Sequence, residues 1–380
     1  MTLMGLLGVI LALLAWQVAF VEKTRTRIAV FFLAFLFHIG TAVVYYFWSQ
    51  TTSADAIMYY YDPYRFYGTG FGMGTRFVVY LVQFLRESLG GTYLDYFLLF
   101  QAFGFWGIVF LMRTFEEVHI ELGTPQSRFS YLLLLLPGVH FWTSAIGKDG
   151  PLFLAASLAV WSAMRLRRRF VGFSLAVLLM VLFRPYIALA VLMALALAAL
   201  IDPRTSTGAK FGLLALALAA LVPILGTVED TFTVDVTSAE SVGEFLQHQS
   251  NVTANIEGGS QMVGASLPVK VLSLLFRPFF FDASGAFGLI ASLENLLLLV
   301  IVILILRNFR SAAQIVRRVF FVRFGLIFSA VLIFMLSLVY YNVGLGLRQK
   351  VMFMPGLLTF FVALLAVIRS RAGRTTLSYA

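Results

Sequence analysis

Long apolar runs, separated by short polar segments, make up most of the 380-residue chain. A helix that spans a bilayer needs about 20 apolar residues, with about 17 to 25 tolerated. On this rule the pattern predicts eleven transmembrane helices, at 2–20, 28–48, 93–112, 129–146, 151–165, 170–183, 187–201, 210–226, 286–306, 319–341 and 351–369. Two shorter apolar segments, 76–88 and 268–281, are predicted to be interfacial or re-entrant. We therefore expect an all-α fold, a polytopic transmembrane bundle that forms one membrane domain over residues 1–380.

The composition supports this expectation. Hydrophobic residues make up 61% of the chain and charged residues 12%, and the mean hydropathy is +0.92. A soluble domain cannot bury that much apolar surface. The chain has no cysteine, which excludes disulfides and thiolate sites, and its four histidines show no ligand spacing, so no metal site is predicted from them. Residues 2–20 lack the basic start of a cleaved signal peptide and are predicted to be retained as the first span.

The basic residues predict an orientation. They fall in short clusters between apolar runs, chiefly in Arg165–Arg169 and Arg307–Arg323, as expected for membrane anchoring. Despite the net charge of +10, we therefore expect no nucleic-acid partner. The positive-inside rule places these clusters in the cytoplasm, the amino terminus outside and the carboxyl terminus in the cytoplasm. The two long loops, 49–92 and 227–285, then lie outside, and loops of that length are uncommon without a function.

The first outer loop carries Asp55 and Asp62 within a tyrosine-rich stretch, 59–67. A carboxylate at the outer end of a span can act as a general base on a hydroxyl, or bind a divalent cation. Tyrosine rings suit sugar binding and the membrane interface equally well. The alternative interpretation is an aromatic belt with solvated acids.

The second candidate is the stretch 137–151 within the predicted helical hairpin 129–165, where proline and glycine residues break the helix at Lys148 and Asp149. Charged residues at the tip of an apolar hairpin, preceded by His140 and Trp142, are costly in a membrane unless they have a function. The alternative is a turn whose charged pair neutralises itself.

The third candidate is a set of cations predicted at the same face: Arg184, Arg277, Arg348 and Lys350. Arg184 and Arg277 are each followed by proline and an aromatic residue, Tyr186 in the first case. The guanidinium fork matches phosphate oxygens, which favours anion binding. The alternative is that these side chains extend to lipid headgroups.

Glu294 falls within a predicted span. An acid inside the membrane is a functional candidate, or else a structural partner for Arg277 or Arg184. Several cations beside carboxylates, aromatic rings and lipid together indicate a ligand that combines a polyanionic headgroup with a hydrocarbon tail. A pyrophosphate-linked lipid has both.

These features resemble the membrane proteins of bacterial polysaccharide gene clusters, including Wzy-type O-antigen and exopolysaccharide polymerases. The resemblance rests on the Asp55 loop after an early span, the 142–149 hairpin, the two Arg-Pro-aromatic motifs and the 348–350 link. More broadly, the pattern is similar to the GT-C glycosyltransferases, whose first outer loop carries an essential acid. That similarity maps the catalytic carboxylate onto Asp55. Resemblance to the polymerases maps pyrophosphate-binding arginines onto Arg184, Arg277 and Arg348.

The expectation is a glycosyltransferase of the bacterial inner membrane that acts at the outer face on polyprenyl-diphosphate-linked sugars. Asp55 or Asp149 would accept the proton of the acceptor hydroxyl, and Lys148 completes the predicted catalytic set. The predicted substrate-binding residues are Arg184, Tyr186, Arg277, Arg348, Lys350, Asp62, His140, Trp142 and Glu294. No cofactor is expected, apart from the option of a divalent cation at Asp55. Expected partners are the lipid-linked glycan, membrane lipids and other polysaccharide export proteins. The alternatives are a transporter or flippase of the same glycan, or a scaffold subunit of an export complex.

Overall fold

A computed structural model of the chain describes residues 2–52, 54–62, 70–232, 264–340 and 343–377, and a few isolated positions between 238 and 262. Within these ranges the chain is helical and contains no strand. The helices are α1 Leu3–Leu14, α2 Arg25–Ser49, α3 Asp55–Tyr61, α4 Thr75–Leu89, α5 Tyr93–Glu121, α6 Arg128–Leu132, α7 Pro137–Thr143, α8 Asp149–Ala163, α9 Phe170–Phe183, α10 Pro185–Ile201, α11 Thr207–Phe232, α12 Leu267–Phe276, α13 Gly285–Arg307, α14 Phe309–Arg318, α15 Phe320–Leu338, α16 Val343–Lys350 and α17 Met354–Leu377. Short 3-10 turns follow α1 and α6.

Four of these helices, α2, α5, α13 and α15, are long and apolar enough to cross a membrane. The helix α16 and residues 354–370 of α17 pass the same test together, bent by 61°, which makes up to five candidate spans among the described residues. The chain is therefore consistent with a multi-pass membrane protein. The segment 129–146, predicted as one span, consists of α6, a 3-10 turn and α7. Pro137, which begins α7, cannot donate the backbone hydrogen bond that a continuous helix needs there.

The helix α5 lies at the centre and contacts α1, α2, α7, α8 and α17. Its first turn is fixed by a capping box, in which Thr92 accepts from the Asp95 backbone and Asp95 accepts from the Thr92 backbone. Small residues bring its neighbours close. A Cβ atom on Gly104 of α5 would lie 2.3 Å from the carbonyl oxygen of Thr143, and one on Gly150 of α8 would lie 2.6 Å from the same oxygen. The glycines therefore allow the loop between α7 and α8 to pack directly on α5.

Two shorter helices connect opposite ends of the bundle. The helix α8 begins at Asp149 and ends just before Arg165, and α10 begins after Arg184 and ends just before Arg204. At a rise of about 1.5 Å per residue, these 15- and 17-residue helices separate their ends by roughly 22 to 26 Å. We call these the Asp149 end and the Arg165 end.

Candidate functional site

Charged side chains from distant parts of the sequence meet at the Asp149 end. Arg348 Nη1 lies 2.6 Å from Asp55 Oδ2, and Arg348 Nε donates to Asp149 Oδ2. Arg184 Nη2 lies 3.9 Å from Asp149 Oδ1. Lys148 precedes Asp149 in the chain and interacts electrostatically with the other four residues. We call Asp55, Lys148, Asp149, Arg184 and Arg348 the charged cluster.

Local backbone structure places three of these side chains. Asp55 is the first residue of α3 and Asp149 the first residue of α8, positions where the helix dipole favours a carboxylate. Arg184 is extended, with φ −157° and ψ 91°, because the residue before a proline disfavours the helical region. Pro185 then begins α10, where its missing N–H removes no helical hydrogen bond. The Arg-Pro motif therefore ends one helix, starts the next, and holds the arginine between them.

Lys148 is the titratable cation of the cluster. Its Nζ donates to Thr75 Oγ1 at 2.7 Å. Burial, with the nearby charges of Arg184 and Arg348, lowers the pKa of Lys148 to about 7. Its carboxylate neighbours Asp55 and Asp149 oppose this shift only in part. The Lys148 side chain can therefore exchange a proton near neutral pH, as ammonium or as neutral amine.

The two carboxylates differ in exposure. The Asp55 side chain is 37% exposed, whereas that of Asp149 is 6% exposed. Burial raises the pKa of Asp55, but the charge and hydrogen bond of Arg348 outweigh this effect, so the pKa lies below its ordinary value. Asp55 is therefore ionised at neutral pH and is the carboxylate that a ligand can reach.

Two buried atoms of the cluster have unused hydrogen-bonding capacity. Arg184 Nε and Asp149 Oδ1 have no hydrogen-bond partner among the residues that the structure describes. Arg184 Nη1 donates to the Tyr186 hydroxyl at 3.0 Å, so the guanidinium is held in place while its Nε is not used. Buried donors are nearly always paired in native proteins, which makes this N–H a candidate for a ligand oxygen.

A second polar group lies around Lys350, which we call the Lys350 group. Lys350 Nζ donates to Asn295 Oδ1 and, at 3.2 Å, to the carbonyl oxygen of Arg277. Asn295 Nδ2 donates to the Pro278 carbonyl oxygen at 3.0 Å, and Arg277 forms an ion pair with Asp282 at 2.6 Å. The three cations Arg184, Arg277 and Arg348 therefore do not form one site. Arg348 and Lys350 are two residues apart on α16 and so point to different sides of that helix.

The Lys350 group borders a cavity of about 730 Å³ between α2, α7, α13 and α16. Most of its wall is apolar or aromatic, including Trp48, Trp142 and Phe287. Lys350, Asn295 and Glu294 supply polar atoms, and Glu294 Oε1 accepts from the Gly138 backbone at 2.6 Å. Only 28% of the most apolar stretch of α13 is buried inside the protein, so the outward face of this helix is free to contact lipid. The cavity therefore lies directly behind a helix whose outward face is apolar and exposed.

The remaining predicted residues are spread over several places. Trp142 lines the cavity, and Asp62 is exposed at the end of α3. His140 is fully buried and its Nδ1 lies 3.2 Å from His38 Nδ1, while its Nε2 lies 2.8 Å from the Leu134 carbonyl oxygen. Both ring nitrogens of His140 are thus engaged by protein groups, which favours a structural role in holding α7 against α2.

Sequence reasoning missed Thr75, the hydroxyl that accepts from Lys148. Its position directly before the short apolar segment 76–88 gave no sign of a partner 73 residues away. The tyrosines and arginine within 63–69, which belong to the predicted tyrosine-rich loop, lie outside the described residues. A divalent cation at Asp55 stays a prediction.

A comparison with protein-family models, curated proteins and solved structures finds no match to this chain.

Proposed function

We propose that the chain is a membrane glycosyltransferase that moves a glycan from a polyprenyl-diphosphate carrier to an acceptor hydroxyl and so lengthens a surface polysaccharide. One observation carries the proposal. The helix α16 has the charged cluster on one side, through Arg348, and the apolar cavity on the other, through Lys350 and Leu347. Arginine and lysine suit a diphosphate, and an apolar cavity beside lipid suits a hydrocarbon chain.

The orientation is part of the same proposal. The Arg165 end carries the excess of arginine, so the positive-inside rule places it in the cytoplasm. The charged cluster then lies about 22 to 26 Å away along α8 and α10, towards the outer face of the membrane. We also propose that the chain crosses a bacterial inner membrane eleven times, with a periplasmic amino terminus and a cytoplasmic carboxyl terminus. Export proteins are its proposed partners.

The proposed reaction breaks the bond between the donor sugar's C1 and a diphosphate oxygen. The acceptor oxygen forms the new bond to C1, and its proton passes to Asp55, the more exposed carboxylate. The lipid diphosphate leaves with the bonding electrons. Arg184 and Arg348 stabilise its negative charge, and fixed cations in a low-dielectric site are most effective at this step.

The ion pairs couple donor binding to base strength. Arg348 keeps the pKa of Asp55 low in the resting protein. A bound diphosphate competes for the same guanidinium, which weakens that effect and makes Asp55 a stronger base once the donor is present. Asp149 stays buried against Arg184 and holds the cations in place. Lys148, with its pKa near 7, supplies a proton or a charge to the leaving diphosphate.

Reconstitution tests the proposal. Purified protein in proteoliposomes is given a polyprenyl-diphosphate-linked oligosaccharide, and product length is read on a gel. We expect longer glycans from the wild type, their loss in Asp55→Asn and Arg184→Ala, and wild-type products from Glu87→Gln, which removes an exposed acid of α4 outside the cluster. If no glycosidic bond forms but the labelled lipid-linked glycan crosses the bilayer, the protein is a transporter and the enzyme proposal fails.

A further inference from the structure

A second concavity lies at the Arg165 end, about 22 to 26 Å from the charged cluster along α8 and α10. Its volume is about 670 Å³. It is formed where α5, α8 and α10 end and where α14 passes into α15. Its wall contains five arginines and one acid, Glu121, and the arginines are Arg165, Arg167, Arg168, Arg204 and Arg318. We call it the basic concavity.

These five arginines differ from their neighbours in having no carboxylate at ion-pair distance among the described residues. Arg169, one position further on, forms an ion pair with Glu117 at 2.7 Å and lies 3.9 Å from the centre of the Trp161 ring. Arg323, close to Arg318, forms an ion pair with Asp202 at 2.9 Å. Arg169 and Arg323 are therefore paired, with side chains 13% and 2% exposed, whereas the arginines of the basic concavity are exposed.

Exposed apolar side chains lie close in the chain to the arginines of the basic concavity. Phe170 and Val171, at the start of α9, are 66% and 79% exposed, and Ile201, at the end of α10, is 61% exposed. Exposed apolar residues next to a group of cations place this part of the chain at the boundary between hydrocarbon and headgroups.

We infer that the basic concavity binds the phosphate headgroup of an anionic phospholipid. Guanidinium groups match phosphodiester oxygens in geometry and charge, and basic pockets between membrane helices are suited to anionic lipid heads. A soluble phosphate would use the same arginines but would gain nothing from Phe170, Val171 and Ile201. This inference stands apart from the proposed transferase activity, which uses the opposite end of the bundle.

The test is native mass spectrometry of the purified full chain in detergent, titrated with phosphatidylglycerol or with phosphatidylcholine of the same acyl chains. We expect a saturable phosphatidylglycerol adduct and a much weaker phosphatidylcholine adduct. The variant Arg167→Ala/Arg168→Ala removes two exposed, unpaired cations, and at roughly tenfold per 1.4 kcal/mol its affinity should fall on the order of 30-fold. The control Arg307→Ala/Arg310→Ala removes two exposed arginines around the start of α14, at the opposite end of that helix from Arg318, and should bind like the wild type.

Three results would overturn the inference. Equal binding of the two lipids would show that the protein does not distinguish lipids by the charge of the headgroup. An equal loss in both double variants would show a general effect of surface charge. If soluble glycerol phosphate displaces the lipid at equal concentration, the ligand is a free anion and the lipid assignment is wrong. Melting temperatures of both variants, expected at the wild-type value, distinguish lost binding from lost folding.

Discussion

Arg348 Nη1 lies 2.6 Å from Asp55 Oδ2, although 293 positions separate the two residues in the chain. The same guanidinium binds Asp149, so one side chain joins α3, α8 and α16. All three groups are charged and partly withdrawn from water. The charge of the guanidinium therefore offsets those of the two carboxylates, and theirs offset it. Any anion that enters the charged cluster must therefore compete with two carboxylates for Arg348.

Asp55→Asn should remove activity while leaving the fold intact. Arg348 keeps its ion pair with Asp149, and asparagine keeps a side-chain oxygen that can accept a hydrogen bond from the guanidinium. Loss of a general base lowers rates by about 10²- to 10⁴-fold. The measurement is product formation per minute in proteoliposomes at saturating donor, together with the melting temperature. Activity above a tenth of wild type would show that Asp55 is not the base, and Asp149→Asn would be the next variant to compare.

Lys148 predicts a pH dependence of stability. Its pKa is about 7 in the folded chain and 10.5 as a free side chain, so between these values the unfolded chain binds more protons. The free energy of unfolding therefore falls as pH drops from about 10 to about 7, and the dependence ends below 7, where both states are protonated. Lys148→Met removes this term. The melting-temperature difference between Lys148→Met and wild type should be largest near pH 7 and shrink towards pH 10. A difference that does not change with pH would contradict the assignment.

The ion pair at the opposite end makes a stability prediction. Arg323 is 2% exposed, pairs with Asp202, and donates to the carbonyl oxygens of Ala198, Val316 and Arg317. Breaking a buried pair on one side typically costs about 3 to 5 kcal/mol, because the partner charge stays buried. Arg323→Met should therefore lower the melting temperature strongly, and Arg323→Met/Asp202→Asn should recover part of the loss. A double variant less stable than the single one would show that the carbonyl contacts, and not the charge, dominate.

The all-helical class, with several candidate spans, followed from the long apolar runs. The bounds of α9, Phe170–Phe183, coincide with a predicted segment, because a basic run precedes it and an Arg-Pro step ends it. The segment 129–146 was harder to predict, since its apolar composition is that of a span. Its course depends on Pro137 and on the contact between Thr143 and Gly104, which couples residues 39 positions apart.

The candidate site was predictable in its chemistry and less so in its grouping. Breaks in the predicted helices drew attention to Asp149 and Arg184, and the polar link 348–350 drew attention to Arg348 and Lys350. The sequence could not show that Arg348 and Lys350 serve different groups, since this depends on how α16 is turned against its neighbours. The two similar Arg-Pro motifs also do not contribute to the same site. Arg184 faces Asp149, whereas Arg277 pairs with Asp282.

The close contact on α5 should be sensitive to a single methyl group. A Cβ on Gly104 would lie 2.3 Å from the Thr143 carbonyl oxygen and 2.8 Å from His38 Nε2, so Gly104→Ala forces backbone apart. Overpacking of this kind costs about 1 to 3 kcal/mol, occasionally more. The control is Gly40→Ala on α2, where a Cβ meets nothing within 4 Å and helix propensity favours alanine by up to about 1 kcal/mol. We expect a lower melting temperature for the first variant and an equal or higher one for the second.

The cavity predicts a dependence on the carrier's chain length. Ala291 is 8% exposed and lines the cavity, so Ala291→Phe places a ring in the space proposed for the hydrocarbon chain. The variant should lose activity with a long polyprenyl carrier and keep most of it with a carrier of two or three isoprene units, since the short chain needs less of the cavity. Kinetics with the two carriers measure this, and the expected change is a higher KM for the long one.

Leu289→Phe serves as the matched control, because Leu289 lies on the same helix, is 51% exposed and does not line the cavity. It should leave both carriers unaffected. If Ala291→Phe slows both carriers equally, the ring disturbs α13 as a whole, and the cavity is not where the chain binds. If it slows neither, the hydrocarbon chain lies elsewhere, although the diphosphate could still bind at Arg184 and Arg348. The pair of carriers therefore separates the site of the tail from the site of the charge.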